Sequence, residues 1–264
     1  MGNAQSTLGF YHAKQVQSLR SVRFAEPALC YVRQGQKQLL VGERCFQAQA
    51  GEWLILPAHT TFMMENRPYQ GQYTAEVLPV PASLAKDFIQ YTGGTLTSAA
   101  PLPADPDFSI AGSARLQQAW DKLTLAQQPA FPELLARHYL FEVLIVAALQ
   151  NNLHALLQPA APGLADRVRQ FMQADPAASW TQPEIASQFH MSPPTLRRHL
   201  ALEKQSFREI LEEVRMHHAL QHVLTTDKPM DWIAGECGFN SASAFSSRFR
   251  QKYGVAPAAL RKTC

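Results

Sequence analysis

The sequence predicts an α+β protein. Its N-terminal half is a β-rich barrel or sandwich with helices. Its C-terminal part is all-α, with two helix-turn-helix motifs joined by a long helix. Three observations carry this. Residues 20–80 hold short β-prone runs at the 8–12-residue spacing of a sandwich or barrel. From Ser83 onward the apolar residues fall at helical spacing. The last hundred residues contain an internal echo: Ser192 and Ser241 are each followed by apolar residues four and eight positions on.

The β-prone runs are Ala28 to Arg33, Lys37 to Val41, Arg44 to Ala48, Trp53 to Leu56, Thr61 to Glu65 and Tyr73 to Val80. Turn formers separate them: Gln34-Gly35, Gly42-Glu43, Ala50-Gly51, Pro57 and Asn66-Arg67-Pro68. Gln34 to Ala48 reads as a hairpin pair with tight glycine turns. Leu84, Phe88 and Tyr91 then mark a short helix, and a Pro/Ala/Asp-rich loop follows from Thr97 to Asp107. Leu116, Trp120, Leu123 and Leu125 mark a second helix. Pro132 to Leu157 reads as one long helix. Its apolar residues cover more than one face, so burial on two sides is expected, against the barrel and against either a second subunit or the chain's own core. Pro159-Ala160-Ala161-Pro162-Gly163 stops any helix and stiffens the connection. The expected organisation is therefore a β-rich domain over 1–158, a linker over 159–163 and a helical domain over 164–264.

Composition narrows the class. At 264 residues and 46% hydrophobic the chain can build real cores, and 17% charged residues argue against disorder. The longest apolar stretch, Val143 to Leu149, is far short of the ~20 residues that span a bilayer. The N-terminus lacks the pattern of a signal peptide. Met1-Gly2 with Ser6 fits the loose myristoylation pattern, but nothing else in the chain is membrane-directed. The four cysteines, Cys30, Cys45, Cys237 and Cys264, form no Cys-x-x-Cys pair, so reduced thiols in a cytoplasmic protein are expected. A redox pair of Cys30 and Cys45 is the minor alternative. Residues 1–163 balance 11 basic against 11 acidic side chains, whereas residues 164–264 hold 13 against 10. The whole net charge of +3 thus lies in the last hundred residues, where it suits a phosphate-contacting surface.

Each copy of the echo reads as a helix-turn-helix, the first over about 182–203 and the second over about 230–252. Ile185-Ala186 and Ile233-Ala234 start the packing faces, with a small alanine where the second helix crosses. Ser192 and Ser241 are N-caps, Pro193 takes the first helical position, and Gly238 supplies a left-handed turn. Thr181 and Glu184 fit a capping box. Leu196 and Leu200, and Phe245 and Phe249, bury the second helix of each copy and leave its other face free for a DNA major groove. Between the copies, 206–224 reads as one continuous helix that fixes their spacing. Recognition helices about 34 Å apart would enter successive major grooves.

The segment Ile233-Ala234-x-x-x-Gly238-Phe239-x-Ser241-x-Ser243-x-Phe245, then Phe249, then Gly254-x-x-Pro257-x-x-x-Arg261, resembles the signature of the AraC/XylS transcription regulators. Ser206-Phe207, and Arg215 before Ala219-Leu220, extend the resemblance over about 164–264. Two positions depart from it: Lys204 stands where a glycine is usual, and Ser247 where an arginine is usual, with Arg248 next along. The resemblance implies that Pro194, Thr195, Arg197 and Arg198 face DNA from the first motif, and Ala242, Ser243, Ser247 and Arg248 from the second. Arg197 and Arg198 are the candidates for bidentate contacts to guanine, the alternative being phosphate contact alone. Arg248, about 100° round the helix from Ser247, is expected to meet phosphate.

Gly42-Glu43-Arg44-x-Phe46 and Gly51-Glu52-Trp53-Leu54-Ile55-Leu56-Pro57 are similar to the cupin-type sensor domain of the same family, which implies effector sensing or dimerisation. Only His59 lies in the strand region, too few ligands for a cupin metal centre, so neither metal nor cofactor is expected and an enzyme is not. Candidate lining residues for an effector are Tyr31, Arg33, Trp53, Phe62, Met64 and Tyr73, with Arg33 positioned for a ligand carboxylate; ordinary core is the competing reading. The expected partners are promoter DNA, RNA polymerase, a small effector and a second copy through 132–157, with no membrane. An activator is the leading reading. The alternatives are a repressor of the same architecture and, further off, a cupin enzyme fused to a DNA-binding unit.

Overall fold

The computed structural model describes residues 8–96, 106–150, 153–157 and 162–264. The Met1–Ser6 pattern, most of the 97–107 loop and positions 159–161 of the expected linker lie outside the described residues. The chain divides into two compact units, one formed by Met1–Gln17 and Glu26–Ala160, the other by Ser18–Ala25 and Ala161–Cys264.

The first unit contains two antiparallel sheets. Its strands are β1 (Gly9–Ala13), β3 (Ala28–Gln34), β4 (Gln36–Val41), β5 (Arg44–Gln49), β6 (Trp53–Leu56), β7 (Thr61–Arg67), β8 (Tyr73–Pro79) and the short β9 (Ser109–Ile110); of β2 (Gln17–Arg23), Gln17 belongs to this unit and the rest to the second. One sheet has the order β1-β8-β3-β6-β9. In the other, β4 pairs with both β5 and β7, with Leu39 opposite Phe46 and Met64. All six β-prone runs of the sequence are strands. β1, β2 and β9 carry no such signal, because their apolar residues are too sparse to set a period. The Gln34–Gln36 turn depends on Gly35: its φ is +84° and a β-carbon there would stand 2.5 Å from the Arg67 carbonyl oxygen. Period-two alternation places Leu39, Phe46, Ala48, Phe62 and Met64 inside. Lys37 has the parity of Leu39 and is therefore also inside.

Helices α1 (Ala82–Tyr91) and α2 (Ala114–Leu125) follow, the latter capped by Ser113 and burying Leu116, Ala119, Trp120 and Leu123. The single helix expected over 132–157 is two: α3 (Glu133–Gln150) and α4 (His154–Leu157). Leu153, the described residue between them, is not helical. α3 packs on α2 and buries Leu140, Phe141, Val143, Leu144, Val146 and Ala147, while Leu134 and Leu149 are exposed.

The second unit is helical apart from Ser18–Arg23 of β2: α5 (Leu164–Met172), α6 (Gln182–Gln188), α7 (Pro193–Leu202), α8 (Phe207–Thr225), α9 (Met230–Glu236), α10 (Ala242–Tyr253) and α11 (Pro257–Arg261). Ala165, Val168, Met172, Ile185, Ala186, Leu196, Leu200, Ile210 and Val214 form one core around the first motif. α8 continues past it and buries Ala219, Leu220 and Val223 beside the second, where Ile233, Ala234, Phe245, Phe249 and Tyr253 are also buried. Glu203, just past α7, caps α5 by accepting from the Leu164 and Ala165 amides at 2.8 and 2.9 Å.

Candidate nucleic-acid interface

The two motifs are built by the same local chemistry. Ser192 Oγ accepts from the Thr195 amide and Ser241 Oγ from the Ala244 amide, so each second helix starts on a serine cap. α6 opens with a complete Thr181–Glu184 capping box, in which the two hydrogen bonds to Glu184 hold its carboxyl below the usual carboxylate range. α8 opens with a second box, Ser206–Glu209, present in the sequence but not singled out there. Both first helices close alike. The Met191 amide donates to the Ala186 carbonyl and the Phe239 amide to the Ala234 carbonyl, each at 2.8 Å. The closing turn needs a left-handed residue five positions after the isoleucine, and that residue is His190 (φ +54°) in one copy and Gly238 (φ +70°) in the other. Asn240 is the extra residue of the second copy, and it lies after this shared closure.

Leu196 and Leu200 are buried on α7, and Phe245 and Phe249 on α10. The opposite faces are open. Pro194, Arg197 and Arg198 are exposed and Thr195 is half-buried; Ser243, Ser247 and Arg248 are exposed and Ala242 is half-buried. Arg197 and Arg198 make no ion pair among the described residues. Arg248 differs: its guanidinium lies 3.1 and 3.2 Å from the two Glu212 oxygens on α8, a contact whose 36-residue separation hides it in the sequence. At 19 residues α8 is about 28 Å long, a rigid spacer between the two motifs. It is tied down by Arg169 of α5, a buried side chain that reaches Glu213 at 2.6 Å and Asp166, while Asp166 also accepts from Arg23 at 2.7 Å.

The effector candidates fall in two side-chain clusters, one around Tyr31 and Trp53 and one around Met64 and Tyr73. Tyr31 stacks on Trp53 with ring centroids 4.5 Å apart, and both rings meet Trp120 of α2. Arg33, expected to await a ligand carboxylate, is already engaged by Glu76 and by Asp121 at 3.0 Å. Glu76 is itself a buried hub that accepts from Trp120 Nε1 at 2.6 Å and Thr124 Oγ1 at 2.8 Å. The Trp53 indole N–H is buried without an acceptor among the described residues. Met64 and Tyr73 belong to a different cluster around Lys37, whose ammonium donates to Asn66 Oδ1 at 2.8 Å and lies 3.5 Å from Tyr73 Oη. Phe62 is buried on the Met64 face of β7. Burial pushes Lys37 below and Tyr73 above their usual values. Lys37 escaped the sequence reading although strand parity places it inside.

Among the described residues no group of three or more His, Cys, Asp or Glu could hold a metal ion, and no helix is long and apolar enough to cross a membrane.

This arrangement, two serine-capped helix-turn-helix motifs on one spacer helix, following a β-rich unit in the chain, is that of a transcription regulator. Residues 185–263 match the family model described as helix-turn-helix domain, and residues 5–146 match that of the AraC-type transcriptional regulator N-terminus. The chain belongs to the AraC family of transcriptional regulators. It is 30% identical over 122 residues to the transcriptional activator PerA of Escherichia coli O127:H6, which is 45% of this chain and 44% of that one. The chain spans about half the length of the curated relatives it matches. An apo single-residue variant of ToxT from Vibrio cholerae shares the fold over 100% of this chain and 99% of its own, with a TM-score of 0.71 and 15% identity. ToxT with an unsaturated fatty acid bound gives 0.61 at 12% identity, over 100% and 98%.

Proposed function

We propose that the chain is a sequence-specific DNA-binding activator of transcription, held in the cytoplasm, with no catalytic role of its own. The observation that carries this reading is the pair of capped, core-locked helices α7 and α10, whose outward faces are polar and, on α7, hold two arginines that make no ion pair among the described residues. Pro194, Thr195, Arg197 and Arg198 meet DNA from the first motif, with the arginines reading guanine edges. Ala242, Ser243 and Ser247 meet it from the second and read sequence loosely. Arg248 contributes less than a free cation, because Glu212 competes for it. The linker over 159–163 separates the sensing domain from this unit, and activation proceeds by contact with RNA polymerase.

The effector is a small acid. Arg33 is occupied by Glu76 and Asp121, whereas Lys37 is a buried cation with no carboxylate partner among the described residues. A ligand carboxylate there would replace a weak neutral environment with an ion pair. The fatty acid named for ToxT has the matching chemistry. A second copy docks through 132–157, where exposed Leu134 and Leu135 line an open cavity of about 940 Å³ with Tyr91 and Phe141.

The test is to sequence the DNA that co-purifies with the chain from its own cells beside an Arg197→Ala/Arg198→Ala variant. A short shared motif upstream of a few operons, lost in the variant, is the expected result. Scattered fragments unchanged in the variant would overturn sequence-specific reading. Reporter output that rises when the gene is deleted would make it a repressor instead.

A further inference from the structure

His218 and His222 stand one turn apart on α8, so their rings share a face of the helix. Their Nε2 atoms are 3.0 Å apart, the ring centroids 4.5 Å and the planes at 86°. Both side chains are half-buried. His222 meets the Trp232 ring of α9 edge-on at 5.3 Å, and Lys228 lies over the same indole.

Two imidazole nitrogens this close share either a proton or a cation. A zinc ion held by both at about 2.0–2.1 Å would place the nitrogens about 2.8–3.4 Å apart, from a right-angled to a tetrahedral arrangement. The observed 3.0 Å, the length of a hydrogen bond in which one ring donates to the other, lies inside that range, so a metal could take the place of the shared proton without moving the backbone. Imidazole pairs select borderline transition ions such as Zn²⁺, Ni²⁺ and Cu²⁺ over Mg²⁺ or Ca²⁺. Two protein ligands leave the remaining coordination positions to solvent.

We propose that His218 and His222 form a two-ligand site for a borderline divalent transition-metal ion on α8, adjoining Trp232. An ion there clips one turn near the end of the spacer helix. Through His222 it acts on the first helix of the second motif. The inference stands on the geometry of α8 and does not depend on which DNA the chain reads.

The experiment uses the full chain without an affinity tag, titrated with CuCl₂ or NiCl₂ and followed by calorimetry and tryptophan fluorescence. Saturation at one ion per chain with quenching is expected. Trp232→Phe should remove most of the quenching while leaving the calorimetric stoichiometry unchanged. His218→Gln and His222→Gln should each weaken binding tenfold or more. Equal binding by a folded histidine variant, quenching that survives in Trp232→Phe, or no saturable binding would each overturn the site. Should a histidine variant fail to fold, X-ray absorption of the zinc-loaded wild-type chain decides: two imidazoles on the metal support the site, and fewer refute it.

Discussion

The Arg215 guanidinium fills the space that a side chain at Gly238 would need: a β-carbon there would stand 2.9 Å from Arg215 Cζ and Nη2. The same guanidinium donates to the Pro176 and Ala178 carbonyls at 3.2 and 3.1 Å, in the loop that leads into α6. One side chain from α8 thus pins the entry to the first motif and abuts the turn of the second. Gly238→Ala should therefore cost about 2–3 kcal/mol, the strain of a left-handed residue added to displacement of Arg215. His190→Gly, at the equivalent turn of the first motif, should be neutral or stabilising by up to about 1 kcal/mol, because it removes that strain. Urea unfolding of both variants checks the pair, and equal losses would refute the argument.

Glu212 holds Arg248 in an exposed ion pair that itself contributes little stability. Glu212→Ala should leave unfolding within about 0.5 kcal/mol of the wild type. It should also free one cation for phosphate and raise affinity for arbitrary duplex. The slope of log K against log salt should steepen by about 1. Arg248→Ala should change that slope little, in contrast to Arg197→Ala and Arg198→Ala, each costing about 1–3 kcal/mol on the specific site. Fluorescence anisotropy across a salt series separates the four variants.

Signals confined to a few neighbouring residues were legible in the sequence. Turn glycines and period-two alternation marked six strands to within a residue or two, and the serine caps with their buried partners at four and eight positions marked α7 and α10. What escaped depends on contacts between distant positions. Arg33 has the composition of a ligand-binding arginine, and only the fold brings Glu76, 43 residues away, against it. Arg248 reads as a free cation until α8 places Glu212 beside it. Lys37 is intermediate: parity put it inside, but a lysine on a strand is ordinarily assigned to solvent, and its Asn66 and Tyr73 partners lie 29 and 36 residues on.

The Glu76 hub and the Lys37 cluster should respond oppositely to removal of their charge. Glu76→Ala strands the Trp120 N–H and loosens Arg33, and should cost about 3 kcal/mol. Lys37→Met replaces a buried ammonium with an apolar side chain of similar length and should be neutral or stabilising by about 1 kcal/mol. If Lys37 receives an acidic effector, the same variant loses the stabilisation that a medium-chain fatty acid gives the wild type. Thermal unfolding with and without the acid reads both effects.

His217, on α8, supplies a pH dependence with a definite sign. Burial lowers its pKa from 6.5 to about 4, helped by Lys252 and His218, and its ring packs edge-on against Phe24. The folded chain thus keeps the ring neutral at a pH where the unfolded chain protonates it. Stability from this group is fully present above pH 6.5 and is lost as pH falls toward 4, because the unfolded state there binds the extra proton. At pH 5 the loss relative to pH 7 should be about 1–2 kcal/mol, allowing for partial solvent access. His217→Gln cannot take up that proton and should lose less stability over the same interval. Unfolding midpoints at pH 7 and pH 5, with chelator present to keep the neighbouring histidines metal-free, measure the difference. An equal fall in both proteins would place the acid sensitivity elsewhere than at His217.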